Sequence, residues 1–321
     1  MVITNNKLVS VVVPLYNEAA GLHDFHDGLM LVLGKIGRDF EVIYVDDGSH
    51  DQTAGLVKKQ TSDKRVKLIS FSRNFGKELA LTAGISQARG EAIITLDGDG
   101  QHPAELIPEF IKAWQDGAQV VVGLRTNAEG QKHAGGIGSR LFYHFFNALS
   151  SQKIVAGSTD YRLITAQVRE AFLQLNETDR VTRGLIDWLG FEPSYVKYTA
   201  KRRQSGVPGY SRSKLFGLAI NSFVSLSPAP LYLFGGLGIF LTLSALLLGC
   251  VVFIEQLLLG DPLNWDFTGT AQLSIVILFF VGLILMSQGM LSLYVSHIHS
   301  QSKQRPLYVI DFSKSAGIEE N

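Results

Sequence analysis

The sequence of 321 residues has very little cysteine and no excess of charge of either sign. Cys250 is the single cysteine, which excludes an internal disulfide and a zinc site built from several cysteines, and which suits a catalytic part in a reducing compartment. The 29 lysines and arginines balance 29 aspartates and glutamates, so charge gives no argument for a nucleic-acid partner. The patterns G-x-G-x-x-G after the first strand and G-x-x-x-x-G-K-[ST] are also absent, which leaves a Rossmann dehydrogenase and a P-loop enzyme without support.

Charged residues are missing from two long apolar runs, residues 231–254 and 271–296. Each run exceeds the roughly 20 residues that a helix needs to cross a bilayer. The sequence therefore predicts two transmembrane helices rather than a pair of buried core helices. Lysines and arginines precede the first run and follow the second, whereas residues 255–270 between them contain neither. Because basic residues favour the cytoplasmic side, we expect a multi-pass protein of the inner membrane with both termini and the catalytic part in the cytoplasm.

Short apolar runs alternate with longer amphipathic stretches through the first part of the chain. The apolar runs are residues 8–14, 40–45, 66–71, 91–96 and 118–123. Runs that are apolar throughout are typical of strands covered on both faces of a parallel sheet. The alternation predicts a doubly wound α/β fold with a mostly parallel sheet, whose ligand lies beyond the carboxyl ends of the strands.

Polar segments follow four of these predicted strands and should converge on one crevice. They read P-L-Y-N-E at 14–18, D-D-G-S at 46–49, S-R-N-F-G-K at 72–77 and D-G-D-G-Q at 97–101. In the last segment, two carboxylates one residue apart and an amide two residues further on offer the hard oxygen ligands that Mg²⁺ or Mn²⁺ prefers. Such an ion would neutralise a departing diphosphate. The alternative is an ordinary acidic turn, because Asp-Gly pairs are common in turns.

Taken in order, the four segments resemble glycosyltransferase family 2, whose fold is of the GT-A type. S-R-N-F-G-K resembles the signature of its polyprenyl-phosphate hexose transferases, such as the bactoprenol glucosyltransferases, and the resemblance covers nearly the whole chain. It implies inverting transfer of a hexose from a nucleotide-sugar donor to undecaprenyl phosphate, for modification of a surface glycan such as lipopolysaccharide. UDP-glucose is the first expectation, and UDP-N-acetylhexosamine, GDP-mannose and UDP-aminoarabinose stay open.

The resemblance also implies roles for individual residues. Those expected to bind the nucleotide-sugar are Pro14, Tyr16, Glu18, Asp46, Asp97, Gly98 and Arg203. Asp99 and Gln101 would bind Mg²⁺ or Mn²⁺, whereas Arg125 and Arg140 would bind the lipid phosphate. Asp99, Arg125 and Asp160 are the expected catalytic residues. Asp160 lies where related transferases place a base. An orienting role is expected for it, because a phosphate monoester is largely dianionic at neutral pH.

Three positions depart from the family pattern. His102 stands where an acidic or amide residue is usual, and Gly100 replaces a leucine. Gly209 stands where the family has a lysine, so one contact with the diphosphate needs another cation, for which Arg202, Arg203 and Lys214 are candidates. A catalytically inactive membrane scaffold is the alternative from another class, and Gly209 is the feature in its favour. A processive synthase of the same family would carry a Q-x-x-R-W element, and this sequence contains none.

The predicted organisation has four parts. They are a catalytic domain at 1–210, an interfacial helix at 211–228, two transmembrane helices within 229–300 and a cytoplasmic tail at 301–321. The aromatic stretch 139–150 is either a core helix or a helix at the membrane surface, and the second is expected. Three glycines in the first apolar run, Gly235, Gly236 and Gly238, would permit close helix packing, and a homo-oligomer is therefore expected.

Overall fold

The computed structural model describes residues 7–126, 157–178, 180–199, 269–303 and 305–318, together with residues 240, 247 and 254. The chain divides into two compact units. The first comprises Met1–Asn147, Gln152–Gly209 and Arg305–Asn321, and the second comprises Ala148–Ser151 and Tyr210–Gln304. The predicted boundary at residue 210 lies outside the described residues.

The described part of the first unit alternates strands and helices, as the sequence predicts. The strands are β1 (Val9–Leu15), β2 (Phe40–Asp46), β3 (Val66–Ser70), β4 (Ala92–Thr95), β5 (Val120–Thr126), β6 (Ser158–Thr165) and β7 (Pro193–Thr199). The helices are α1 (Leu22–Leu33), α2 (Thr53–Gln60), α3 (Lys77–Gln87), α4 (Ile107–Gln115), α5 (Ala166–Leu173) and α6 (Thr182–Trp188), with a 3-10 turn at Ala104–Leu106.

The strands form one seven-stranded sheet in the order β3-β2-β1-β4-β6-β5-β7. β1 pairs in parallel with β2 and β4, and β5 pairs in parallel with β7. β6 is antiparallel to both of its neighbours, β4 and β5. The predicted α/β fold with a mostly parallel sheet is confirmed. The chain changes direction across the sheet between β1 and β4, which is where open α/β sheets bind their ligands.

Apolar side chains cover both faces of the sheet. Val11 and Val13 belong to a core on the face covered by α1 and α4, whereas Val12 belongs to a second core on the face covered by α3. Every residue of β1 and β2 is buried. This two-sided burial explains why the strands are apolar throughout in the sequence.

The end of the chain returns to the edge of the sheet beside β3. Leu68 and Ala316 exchange two backbone hydrogen bonds of 2.9 Å each, and a second antiparallel bridge joins Phe71 to Ile310. The ring of Tyr308 stacks on that of Phe71, with centroids 5.0 Å apart. The tail therefore covers an edge strand that would otherwise expose unpaired backbone groups.

The longest described element of the second unit is a single helix, α7 (Gly269–Ser302), which contains the second apolar run. Among the residues that the structure describes, no helix meets the length and apolar composition of a membrane span. The first run, 231–254, lies outside the described residues except for positions 240, 247 and 254. The predicted helices at 139–150 and 211–228 lie outside them entirely.

Candidate active site

The loops after β1 and β2 are joined by hydrogen bonds. The backbone N–H of Asn17 donates to Ser49 Oγ at 3.0 Å, and that of His50 donates to Asn17 Oδ1 at 2.9 Å. The N–H of Glu18 donates to Thr53 Oγ1 at 3.0 Å. Asn17 has a φ of 54°, in the left-handed region that asparagine tolerates better than most residues. The structure thus brings the first two predicted segments together.

The adjacent carboxylates of Asp46 and Asp47 have different partners. Asp47 accepts hydrogen bonds from the backbone N–H groups of Phe75 at 2.7 Å and Gly76 at 2.9 Å, so it anchors the loop after β3. Asp46 accepts one from the backbone N–H of Ser49 at 3.2 Å. Burial raises the pKa of both carboxyl groups. Asp47 therefore has a structural role, and Asp46 stays the candidate for contact with the nucleotide.

Close backbone approach explains two glycines of the site. Gly48 has a φ of +67°, and a Cβ there would lie 2.4 Å from the carbonyl carbon of Arg73. A Cβ at Gly98 would lie 2.4 Å from a methyl carbon of Leu15. At Gly48 the neighbour is backbone, which leaves no room for a side chain, so the loops after β2 and β3 pack tightly; at Gly98 the Leu15 side chain would have to move.

The D-G-D-G-Q segment forms a compact turn that begins two residues after the end of β4. Asp99 Oδ1 accepts a hydrogen bond from the backbone N–H of Gln101 at 3.0 Å. The backbone N–H of Asp97 donates to Nδ1 of His102 at 3.3 Å, and the His102 ring stacks on Tyr161 with centroids 5.3 Å apart. Burial lowers the pKa of His102, which agrees with a neutral imidazole whose Nδ1 accepts. His102 therefore stabilises the turn through its hydrogen bond with the backbone of Asp97.

Lys77 is a charged residue of the crevice for which the sequence indicates no individual role. Its Nζ lies 2.7 Å from Asp97 Oδ1 and 2.9 Å from Asp160 Oδ2. Burial opposes the charged lysine, but the two carboxylates hold the pKa of Lys77 above its usual value. Burial alone would raise the pKa of Asp160, but the charge of Lys77 and its hydrogen bond hold that pKa below the usual value. Lys77 thus joins two carboxylates that would otherwise repel each other.

Comparison with known proteins places this chain in a family. Residues 10–170 match the model of glycosyl transferase family 2. The chain is 33% identical over 311 residues to the glycosyltransferase YkcC of Bacillus subtilis (strain 168), covering 97% of this chain and 94% of that protein. It is 33% identical over 307 residues to the bactoprenol glucosyl transferase of Shigella phage SfV, covering 95% and 99%. The chain belongs to glycosyltransferase family 2.

The fold agrees with this membership. The solved structure of mannosyl-3-phosphoglycerate synthase from Rubrobacter xylanophilus superposes with a TM-score of 0.50 at 18% identity, covering 67% of this chain and 74% of that one. The predicted GT-A-like fold, a mixed α/β sheet with the crevice at the carboxyl ends of the strands, is confirmed.

A divalent ion fits the residues of this family 2 glycosyltransferase. Asp99 and Gln101 offer a carboxylate and an amide oxygen on one turn, and both residues are partly exposed. Mg²⁺ usually keeps several waters and binds one or two carboxylates together with substrate phosphates. Among the described residues, no group of three or more histidines, cysteines, aspartates and glutamates is placed to hold a metal by itself. The donor set therefore fits an ion that shares its coordination with a diphosphate.

The remaining predicted site residues are distributed unevenly. Pro14 is buried within β1, whereas Tyr16, directly after the end of β1, is 43% exposed. Arg125 is exposed near the end of β5. Because β4 and β5 are both antiparallel to β6, their carboxyl ends lie at the same edge of the sheet, and Arg125 therefore lies at the same edge as the D-G-D-G-Q turn. Arg140, Arg203 and Gly209 lie outside the described residues.

Proposed function

We propose that this glycosyltransferase transfers a hexose from a nucleotide-sugar to the phosphate of undecaprenyl phosphate. The supporting observation is that four loops converge on one crevice in a chain that aligns over 95% of its length with a protein named bactoprenol glucosyl transferase. Glucose from UDP-glucose is the proposed sugar and donor, following that name. The proposed product is a polyprenyl-phosphate sugar for modification of a surface glycan such as lipopolysaccharide.

The proposed reaction is a single displacement. A phosphate oxygen of the lipid attacks the anomeric carbon, the bond from that carbon to the nucleoside diphosphate breaks, and the sugar inverts its configuration. A phosphate monoester is largely dianionic at neutral pH, since its second pKa is about 6. The nucleophile therefore requires no strong general base, which agrees with an Asp160 carboxylate that is already paired with Lys77.

Each group of residues has a proposed task. Tyr16 and Asp46 hold the base and ribose, and Arg125 and Arg140 hold the lipid phosphate. Asp99 and Gln101 would hold Mg²⁺ or Mn²⁺, which would neutralise the charge that develops on the departing diphosphate. The charge of Arg125 would stabilise the same transition state.

The lipid acceptor gives a reason for membrane anchoring, which we include in the proposal. The two uncharged runs at 231–254 and 271–296 would anchor the protein, with both termini on the cytoplasmic side of the inner membrane, in agreement with the flanking basic residues. Anchoring would confine the crevice to the lipid surface and raise the effective concentration of acceptor without any new contact. A homo-oligomer packed through the glycines of the first run belongs to the same proposal.

The test is transfer by the full-length protein in detergent or lipid vesicles. Undecaprenyl phosphate, Mg²⁺ or Mn²⁺ and a panel of UDP- and GDP-sugars are supplied, and the lipid product is identified by mass. We expect Asp99→Ala to lower kcat by about 100-fold or more, the cost of losing one group that stabilises transition-state charge. Asp116→Ala, an exposed aspartate at the end of α4, is the matched control and should keep full activity.

Chelation gives an independent result. EDTA should abolish transfer, and added Mg²⁺ or Mn²⁺ should restore it, because the ion is proposed to neutralise the diphosphate. Transfer that persists both under EDTA and in Asp99→Ala would remove the metal from the proposal. A folded protein that transfers none of the donors to the lipid would instead favour the inactive scaffold.

A further inference from the structure

One ammonium group connects three separate elements of the crevice. Lys77 is the first residue of α3, Asp97 lies two residues after the end of β4, and Asp160 belongs to β6. The Nζ atom lies 2.7 Å from Asp97 and 2.9 Å from Asp160. Because both contacts join a cation to an anion in a partly buried place, they are stronger than neutral hydrogen bonds.

The two oxygens of the Asp160 carboxylate have different surroundings. Oδ2 is held by Lys77 at 2.9 Å, whereas Oδ1 is buried and has no hydrogen-bond partner among the described residues. The backbone carbonyl of Asp160 accepts a hydrogen bond of 2.5 Å from Thr95 Oγ1, so the main chain at this position is fixed separately. The contact with Lys77 therefore sets the orientation of the carboxylate and determines which oxygen is left without a partner.

A buried acceptor without a partner is unfavourable until a donor reaches it. A site whose carboxylate or amide binds a substrate hydroxyl therefore discriminates strongly against a substrate that lacks this hydroxyl, because the buried acceptor would stay unpaired. Nucleotide-sugars present several hydroxyl groups, and Asp160 lies next to Asp97 through the shared lysine. A buried Oδ1 atom without a partner at this place has the chemistry to accept a hydrogen bond from one hydroxyl of the transferred sugar once the donor sugar displaces its neighbours.

Resting on the proposed function, we propose that Lys77 is a positioning residue for sugar transfer. It holds Oδ2 of Asp160 so that Oδ1 is left to accept a hydrogen bond from a hydroxyl of the donor sugar. Lys77 acts through Asp160 and not by binding the donor diphosphate itself. Its effect on turnover must therefore depend on the presence of Asp160.

A double-mutant cycle on the full-length protein tests this dependence. The variants are Lys77→Met, Asp160→Asn and the double variant, each assayed for kcat and for KM of the nucleotide-sugar with undecaprenyl phosphate as acceptor. We expect Lys77→Met and Asp160→Asn each to lower kcat by about 100-fold, a typical loss for one positioned polar group. In the Asp160→Asn background, Lys77→Met should lower kcat by less than about threefold, because residues that act as a unit are not additive. Donor KM should change by much less than kcat in Lys77→Met, because Lys77 is proposed to orient the sugar for reaction while the nucleotide part of the donor still binds.

Two further variants keep the test decisive. Lys7→Met is the matched control, because Lys7 also pairs with a carboxylate, Glu91 at 2.6 Å, and its side chain is 37% exposed against 41% for Lys77. That pair lies at the amino ends of the strands, away from the crevice, so its loss should leave kcat unchanged. Lys77→Arg keeps the charge and should retain more activity than Lys77→Met. If Lys77→Met does not fold, the double variant, which removes both charges, and Lys77→Arg still report on the pair.

The possible outcomes separate the inference from the proposed function. A wild-type protein that transfers no sugar to the lipid would refute the proposed function, on which the inference rests. Wild-type turnover together with a fully active Lys77→Met would refute the inference alone. A raised donor KM at unchanged kcat would make Lys77 a donor-binding residue, and equal losses from Lys77→Met with and without Asp160 would show that it acts independently. Each of these last two results would also overturn the inference.

Discussion

Asp47 offers a sharp test of how the crevice is held together. Its carboxylate is 3% exposed and accepts the backbone N–H groups of Phe75 and Gly76. Asp47→Ala removes the acceptor from both donors. Hydrogen bonds to charged groups contribute about 1.5 to 3 kcal/mol each. Because Phe75 and Gly76 are only partly buried and water can replace part of the loss, the lower end applies, and the expected cost is about 3 kcal/mol.

This cost is measurable as thermal stability. For a unit of 150 to 250 residues, 1 kcal/mol corresponds to about 2 to 4 °C, so Asp47→Ala should lower Tm by about 6 to 12 °C. Asp47→Asn keeps one acceptor oxygen and should lower it by about half as much. Turnover should fall as well, because Gly76 immediately precedes Lys77. Scanning fluorimetry of the full-length protein in detergent gives Tm.

The neighbouring Asp46 supplies the matched comparison. Asp46→Asn keeps an acceptor for Ser49, its backbone partner at 3.2 Å, and should change Tm by less than about 2 °C while raising donor KM. The reasoning would be refuted if Asp46→Asn destabilised the protein more than Asp47→Ala. It would also fail if Asp47→Ala kept the wild-type Tm, because the two hydrogen bonds would then contribute nothing.

Two further predictions concern the tail and a buried histidine. Tyr308→Ala removes the ring that stacks on Phe71 at 5.0 Å and should lower the free energy of unfolding by about 1 to 2 kcal/mol. Tyr308→Phe keeps the ring and should lower it by less. Equal Tm values for both variants and the wild type would contradict the packing role of the tail. Burial lowers the pKa of His26, whose Nδ1 lies 2.9 Å from the Tyr44 hydroxyl, so the unfolded chain binds a proton more readily than the folded one. The contribution of His26 is therefore present above its usual pKa of 6.5 and lost as the pH falls through that value. Between pH 8 and pH 5 the Tm of His26→Gln should fall less than that of the wild type, and parallel curves would contradict the assignment.

The sequence predicts the fold well where local composition and burial coincide. β1 and β2 are buried on both faces, so their apolar runs identify them, and polar residues begin where each strand leaves the core. The predicted convergence of the loops follows from the parallel order, because parallel strands end at the same edge. The antiparallel direction of β6 is not visible in the same way, since direction depends on a connection and not on composition.

Long-range pairing accounts for what the sequence does not reveal. Nothing in residues 305–318 marks them as partners of β3, because an added edge strand needs only backbone hydrogen bonds. Lys77 and Asp160 are 83 residues apart, and their contact exists only once β4 and β6 are paired. The sequence assigns no individual role to Asp47, and only the contact with Phe75 shows that it supports a loop.

These contacts form a continuous series along the carboxyl edge of the sheet. Asn17 binds the loop after β2, Asp47 binds the loop after β3, and Lys77 binds both the loop after β4 and strand β6. Each link joins a side chain of one loop to the backbone or charge of another, so the loops are ordered before any donor enters. Pre-ordered groups lower the entropy that is lost on reaching the transition state. A substitution at one link should therefore reduce turnover even when the altered residue touches no substrate.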